Sequence, residues 1–268
     1  GKLAVQYSIN DNLNVFASVS TAYRGGGFDG TSIFSVEETQ PFDSEEVLAY
    51  EAGARYTSDR INLTFDLFSY DFEDMQATAR LANDTNGRAN VGEATVRGAE
   101  ASIAITLYEA SDHKLTFNTA GTYLDTEITE FSSNRASDVA STIGDPLPGS
   151  PEWSQTAALN YQTSFPGNTL FNARLDYSYH GEESNRLNAG DGNTAPSYSL
   201  LGVRADLTFA NGLNVYAYGR NITDEVEPAR AQLRGKGAGL RSIGRDVQWN
   251  RIFGIDQTEL RIQKLDLL

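Results

Sequence analysis

Apolar and polar residues alternate with a period of two along most of this chain, the signature of β-strands with one apolar face. Leu3, Val5 and Tyr7 alternate with Lys2, Gln6 and Ser8. Leu13, Val15, Ala17 and Val19 alternate with Asn14, Ser18 and Ser20. Leu48, Tyr50, Ala52, Ala54 and Tyr56 share one parity, with Glu51, Gly53 and Arg55 on the other. The same pattern runs through residues 61–67, 99–105, 115–123, 153–161, 171–179, 201–209 and 213–217. It predicts about ten strands of roughly 8–13 residues, with a weaker candidate at residues 247–255.

The connections between these strands sort into two kinds. Short ones fall at residues 10–12, 57–60, 109–113, 163–168 and 210–212, with turn pairs such as Pro166-Gly167 and Asn211-Gly212. Long ones run over 24–44, 73–90, 126–151, 181–197 and 221–246, rich in Gly, Ser, Asn and Asp. Strict alternation of short and long loops has no cause in a soluble sandwich. It does in a barrel that crosses an outer membrane, where short turns lie on one side and long loops on the other. A tilted strand needs about 9–11 residues to cross the hydrocarbon, which the predicted lengths meet.

Composition narrows the choice. The 268 residues include 21 Lys+Arg and 36 Asp+Glu, a net charge of −15, which argues against nucleic acid as a partner. Cysteine is absent, so disulfides, Cys-based metal sites and a Cys nucleophile are excluded. No apolar run approaches the roughly 18 residues of a spanning helix, whereas alternating barrel strands average to mild hydropathy. The polar parity carries Glu51, Arg55, Asp66, Glu100, Arg174, Asp176, Arg204 and Asp206 in mid-strand. Those charges need water or partners, and a large polar lumen offers both. Tyr7, Tyr23, Tyr56, Tyr70, Tyr123, Tyr161 and Tyr179 fall near strand ends, where interfacial aromatic girdles sit. In lipid an unpaired sheet edge is costly, so the sheet is expected to close or to belong to a larger closed barrel.

Four segments, in order, resemble the C-terminal part of the TonB-dependent outer-membrane receptor family. They are Val15-Phe16-Ala17-Ser18 through Arg24-Gly25-Gly26-Gly27-Phe28; Tyr50-Glu51-Ala52-Gly53 with Tyr70-Asp71-Phe72-Glu73-Asp74-Met75-Gln76; Asn90-Val91-Gly92-Glu93-Ala94 through Gly98-Ala99-Glu100; and Asn221-Ile222-Thr223-Asp224. The resemblance covers about residues 2–225. It implies an all-β fold: an antiparallel transmembrane β-barrel segment of about ten or eleven strands, part of a 22-stranded barrel. It further implies residence in the bacterial outer membrane, among lipid and lipopolysaccharide. The implied activity is uptake of a scarce extracellular small-molecule ligand (ferric siderophore, cobalamin or glycan), energised by the TonB complex through an N-terminal plug region outside this chain. No cofactor and no chemistry on the ligand are implied.

Residues 1–257 are read as the barrel part and residues 258–268 as an atypical tail. Val226 and Pro228 stand where the family usually has a Tyr shortly after the turn, and the chain finishes Leu267-Leu268 where barrels usually finish on an aromatic strand. Val247, Trp249, Arg251, Phe253 and Ile255 resemble a degraded last strand, and Leu260, Ile262, Leu265 and Leu268 are spaced more like a short helix.

Other features carry little chemistry. The segment Gly25-Gly26-Gly27-Phe28-Asp29-Gly30 lacks the Lys and the helix of a phosphate loop and reads as an extracellular turn. His113 and His180 are expected at opposite strand ends and so form no joint metal or catalytic site. The acidic cluster Glu37, Glu38, Asp43, Glu45 and Glu46, with the pair Glu182 and Glu183, reads as a solvated loop surface. Tyr23, Arg24 and Phe28 are the candidate ligand-binding residues, because a strand-to-loop junction with an Arg donor and aromatic surface suits a pocket. Two other readings stand beside the receptor: a self-contained passive porin, and a soluble secreted all-β binding domain.

Overall fold

The computed structural model describes residues 1–28, 40–80, 86–131, 143–184, 194–226 and 261–264. Its strands, in chain order, are β1 (Lys2–Ser8), β2 (Leu13–Arg24), β3 (Gly27–Phe28), β4 (Pro41–Phe42), β5 (Glu45–Thr57), β6 (Ile61–Glu73), β7 (Gln76–Arg80), β8 (Asn86–Asn90) and β9 (Glu93–Ala110). They continue with β10 (His113–Glu130), β11 (Trp153–Phe165), β12 (Thr169–His180), β13 (Glu183–Ser184), β14 (Thr194–Ala195), β15 (Tyr198–Thr208), β16 (Leu213–Gly219) and β17 (Arg261–Lys264). Eleven of them form one antiparallel sheet, β1-β2-β5-β6-β9-β10-β11-β12-β15-β16-β17, in which every strand pairs with the next. The remaining six make three two-stranded ribbons, β3–β4, β7–β8 and β13–β14.

This meander puts all short turns at one end and all long loops at the other. The turns at residues 9–13 and 210–213 are closed by side chains that mimic backbone acceptors. Asn10 Oδ1 accepts from the amides of Asn12 and Leu13, each at 2.9 Å. Asn211 Oδ1 accepts from the amide of Leu213 at 3.0 Å. The ribbons all lie in the long loops. Strands β5, β6 and β11 have 13 residues each. At about 3.3 Å per residue and a tilt near 45°, such a strand rises about 30 Å, the thickness of a hydrocarbon core.

Register holds the two parities on opposite faces across the sheet. Phe65 pairs with Ala54 and Ala101 on one face, while Asp66 pairs with Gly53 and Glu100 on the other. Further along, Leu175 pairs with Leu159 and Val203 on the apolar face. Exposure is correspondingly high for apolar side chains: Leu3, Val5 and Tyr7 are each at least 65% exposed.

The structure departs from the sequence expectations in four places. β9 and β10 have 18 residues each: β9 runs to Ala110, into the connection read at 109–113, and β10 runs to Glu130, into the loop read at 126–151. Alternation fades in the β10 extension, where Thr126 and Glu127 are adjacent, so no apolar face continues into it. Tyr70 is no girdle residue: it lies on the polar parity, stacks on Phe68 (5.1 Å between ring centres) and donates to Glu51 Oε1 at 3.0 Å. Residues 261–264, spaced like a helix, form a strand that pairs with β16. Finally, Glu45 and Glu183, expected in water, are buried. The candidate strand at residues 247–255, Glu37, Glu38, Asp29 and Gly30 lie outside the described residues.

Candidate functional site

The loop end is where side chains are packed most tightly. Met75, Ala89, Val91, Ala94 and Ile128 are buried there, and Val91 and Ile128 are the largest fully buried side chains among the described residues. Phe72, Ala77, Phe131 and Leu147 pack on the cluster of Met75, Val91 and Ala94. The second long loop, between β6 and β9, thus carries an apolar knot with the third, between β10 and β11.

Gln76 ties that knot to the first long loop, between β2 and β5. Its side-chain Nε2 lies 3.0 Å from Asp43 O, 3.1 Å from Gly25 O and 3.4 Å from Arg24 O, and donates to these carbonyls. Its backbone amide donates to Glu45 Oε2 at 2.6 Å. Asn90 makes a second tie: Asp43 N donates to its Oδ1 at 2.7 Å, and its Nδ2 donates to Asp74 O at 2.7 Å and Asp43 O at 3.1 Å. Gly92 closes the arrangement. Its φ is +121°, and a Cβ there would strike the Glu130 carbonyl. Only glycine accepts both conditions.

The third and fourth loops join the same rim. Leu147 N donates to Thr126 Oγ1 at 3.0 Å, and Gly149 N donates to Ser184 O at 2.8 Å. Gly181 N donates to Trp153 O at 2.8 Å. His180, its ring tilted against Tyr198 (5.3 Å between centres), faces the buried Glu183 at 3.2 Å. His113 lies at the turn end, bonded to Tyr161 at 2.8 Å, so the two histidines are at opposite ends of the sheet.

The three candidate ligand residues do not form one surface. Tyr23 continues the apolar parity of Val15 and Val19, while Arg24 continues the polar parity of Ser18 and Ser20; successive side chains of a strand point to opposite faces. Tyr23 is 79% and Phe28 71% exposed. Sequence reasoning assigned no role to Gln76 and Asn90. Their signal was present, because both stand inside the segments that carry the family resemblance.

The polar face below the rim has two different stretches. On β5–β9, Glu51 takes bonds from Tyr70 Oη and from Ser18 Oγ (3.2 Å), with Lys2 Nζ 3.7 Å away. Asp66 packs into the space left by Gly53, where a Cβ would strike it, and Arg55 lies 5.2 Å over Phe16. These residues line a concavity of about 790 Å³ with Glu100. On β12–β16, Arg174 and Arg204 each hold an aspartate two residues along, Asp176 and Asp206, at 2.6 Å.

An antiparallel meander with alternating faces, a charged wall and loops gathered at one end defines the class: a β-barrel segment of outer-membrane type. A family model described as the β-barrel of TonB dependent receptor-like proteins matches residues 1–222, and the chain belongs to that family. Solved structures agree in fold. The ferric yersiniabactin uptake receptor FyuA from Yersinia pestis matches with a TM-score of 0.68 at 19% identity, over 83% of this chain and 32% of that one. The ferric preacinetobactin receptor BauA from Acinetobacter baumannii gives 0.62 at 17% identity, over 83% and 31%. The copper transporter OprC gives 0.58 at 14% identity, over 83% and 33%. The chain spans about a third of the length of these structures.

Proposed function

We propose that this chain is the C-terminal barrel part of an outer-membrane receptor that imports a scarce extracellular ligand with energy relayed by the TonB complex. The observation that carries the reading is the family match over residues 1–222 on a sheet with all its long loops at one end. In this reading the apolar parity faces lipid, the polar parity lines the lumen, and the knotted rim faces outward with its lipopolysaccharide surround. Ligand contact falls to the rim, with Arg24 on the inner parity and Phe28 on the exposed ribbon; Tyr23 serves the outer girdle. A TonB-contacting plug would fill the lumen. A ferric siderophore or another metal-bearing ligand is the favoured class, supported by the ferric-siderophore receptors and the copper transporter that share the fold. A passive porin and a soluble secreted domain are not favoured, since neither accounts for the family match.

The test is uptake of radio-iron, offered on a panel of siderophores, by cells making the full-length receptor. Uptake of at least one complex should depend on the receptor and stop when the inner-membrane proton gradient is collapsed. Receptor-dependent uptake that survives the collapse would overturn the TonB-energised reading.

A further inference from the structure

We propose that His180 and Glu183 form a proton-controlled clasp on the fourth long loop, closed while the imidazole carries its charge and released when it does not. The clasp lies at the loop end and is independent of what the receptor carries. Glu183 belongs to the ribbon β13–β14, whose two pairs are Glu183 with Ala195 and Ser184 with Thr194. Its side chain is 6% exposed, against 31% for that of His180. Its Oε2 lies 3.2 Å from His180 Nε2 and takes no hydrogen bond. A carboxylate shut off from water in this way stays ionised and in place only with a cation beside it. Among the described residues, His180 is the one ion-pair partner of Glu183.

The surroundings supply no substitute cation. His180 faces Ser154, its register partner on β11, and Tyr198, its register partner on β15, whose ring centre lies 5.3 Å away. Neither serine nor tyrosine carries a positive charge. Glu152 and Glu182, at the same corner, are exposed carboxylates. On β12 itself the next cation is Arg174, already held by Asp176. Imidazole is the side chain whose charge changes between about pH 5 and pH 8. Loss of its proton leaves Glu183 a buried charge without a counter-charge, and the carboxylate regains water by swinging out. One side of the loop is pinned against this movement. Gly181 packs so closely on β11 that a Cβ would strike the Trp153 carbonyl, and its amide donates to that carbonyl at 2.8 Å. The movement therefore falls on Glu182 and the ribbon after it. Ser184, next in the chain, accepts the Gly149 amide at 2.8 Å, so release also unties the third loop from the fourth.

The test is the electron paramagnetic resonance line shape of a nitroxide on Thr194→Cys, an exposed position of β14, in the detergent-purified full-length receptor. Spectra are taken across the histidine range, from about pH 5 to about pH 8. The label should be immobile at the acid end, with a mobile fraction several-fold larger at the alkaline end. His180→Gln should leave it mobile at both ends. Glu183→Gln, whose amide needs no counter-charge, should hold it immobile at both, an order that misfolding cannot produce. A label on Gly25→Cys, exposed in the first long loop, should show no response. No pH response with the pair intact, a response that survives either substitution at the pair, or an equal response at Gly25→Cys would each overturn the proposal. The readout involves neither ligand nor TonB, so a failure of energised import would not be mistaken for a failure of this clasp.

Discussion

The rim and the wall of this half-barrel are built on opposite terms. In the rim, Val91 and Ile128 are fully buried, and the amide of Gln76 reaches three carbonyls of another loop. In the wall, the polar side chains meet water and pair in twos, as Arg174 with Asp176 and Arg204 with Asp206, about half-exposed except for Asp206. A sheet one layer thick cannot bury its own side chains on both faces. In the proposed receptor lipid and water take that part in the wall, and most of the buried side chains among the described residues lie where loops fold back over the sheet. The difference teaches that specific side-chain contacts should matter most at the rim, and backbone pairing most in the wall.

The sharpest break of this comparison is at two glycines of the first and second loops. Gly92→Val should destabilise the full-length receptor by about 3–5 kcal/mol, since it combines a left-handed φ with a backbone collision. Gly25→Ala, where a Cβ meets nothing within 4 Å, should be near neutral. Thermal unfolding in detergent compares the two, and equal losses would refute the role given to Gly92. Next in size is Gln76→Ala. Stripping three carbonyls of their donor should cost about 1–3 kcal/mol and make the first long loop cleavable by protease in intact cells. Proteolysis that stays at the parent rate would remove Gln76 as the tie between loops.

Smaller effects probe function and the wall. Arg24→Ala should lower ligand uptake several-fold with receptor abundance unchanged, because its carbonyl, which Gln76 needs, is kept while the guanidinium is lost. Uptake equal to the parent's would end that assignment. Tyr70→Phe should be the mildest, costing about 1 kcal/mol or less, since Glu51 keeps Ser18 and water. A Tyr70→Phe loss as large as that of Gln76→Ala would mean that the wall is as tightly specified as the rim.

Much of the barrel was legible in the sequence because period-two alternation records a solvent difference directly. Leu63, Phe65 and Leu67 against Asn62, Thr64 and Asp66 mark a lipid side and a water side without any knowledge of neighbours. Loop lengths recorded the topology just as directly. Tyr70 was misread because a tyrosine near a strand end looks the same on either face, and only parity relative to Asp66 and Phe68 separates girdle from lumen. Glu45 and Glu183 were misread because a carboxylate in a loop gives no local sign of burial. Each is buried by a partner: the Gln76 amide lies 31 residues away from Glu45, and His180 is held beside Glu183 by the fold of the fourth loop. The three ligand candidates were grouped by nearness in sequence, yet Tyr23 and Arg24 are neighbours that a pleated strand sends to opposite faces.

The sequence alone therefore determined ten of the eleven sheet strands, their two faces, their order and the sorting of turns from loops, because each is set by local chemistry repeated many times. Tertiary structure alone decided which loops are knotted together, which carboxylates lose water, and that Arg174 and Arg204 stand side by side. Those depend on register between strands 30 residues apart, counted from Arg174 to Arg204, and register is a property of paired chains that no single stretch of sequence displays.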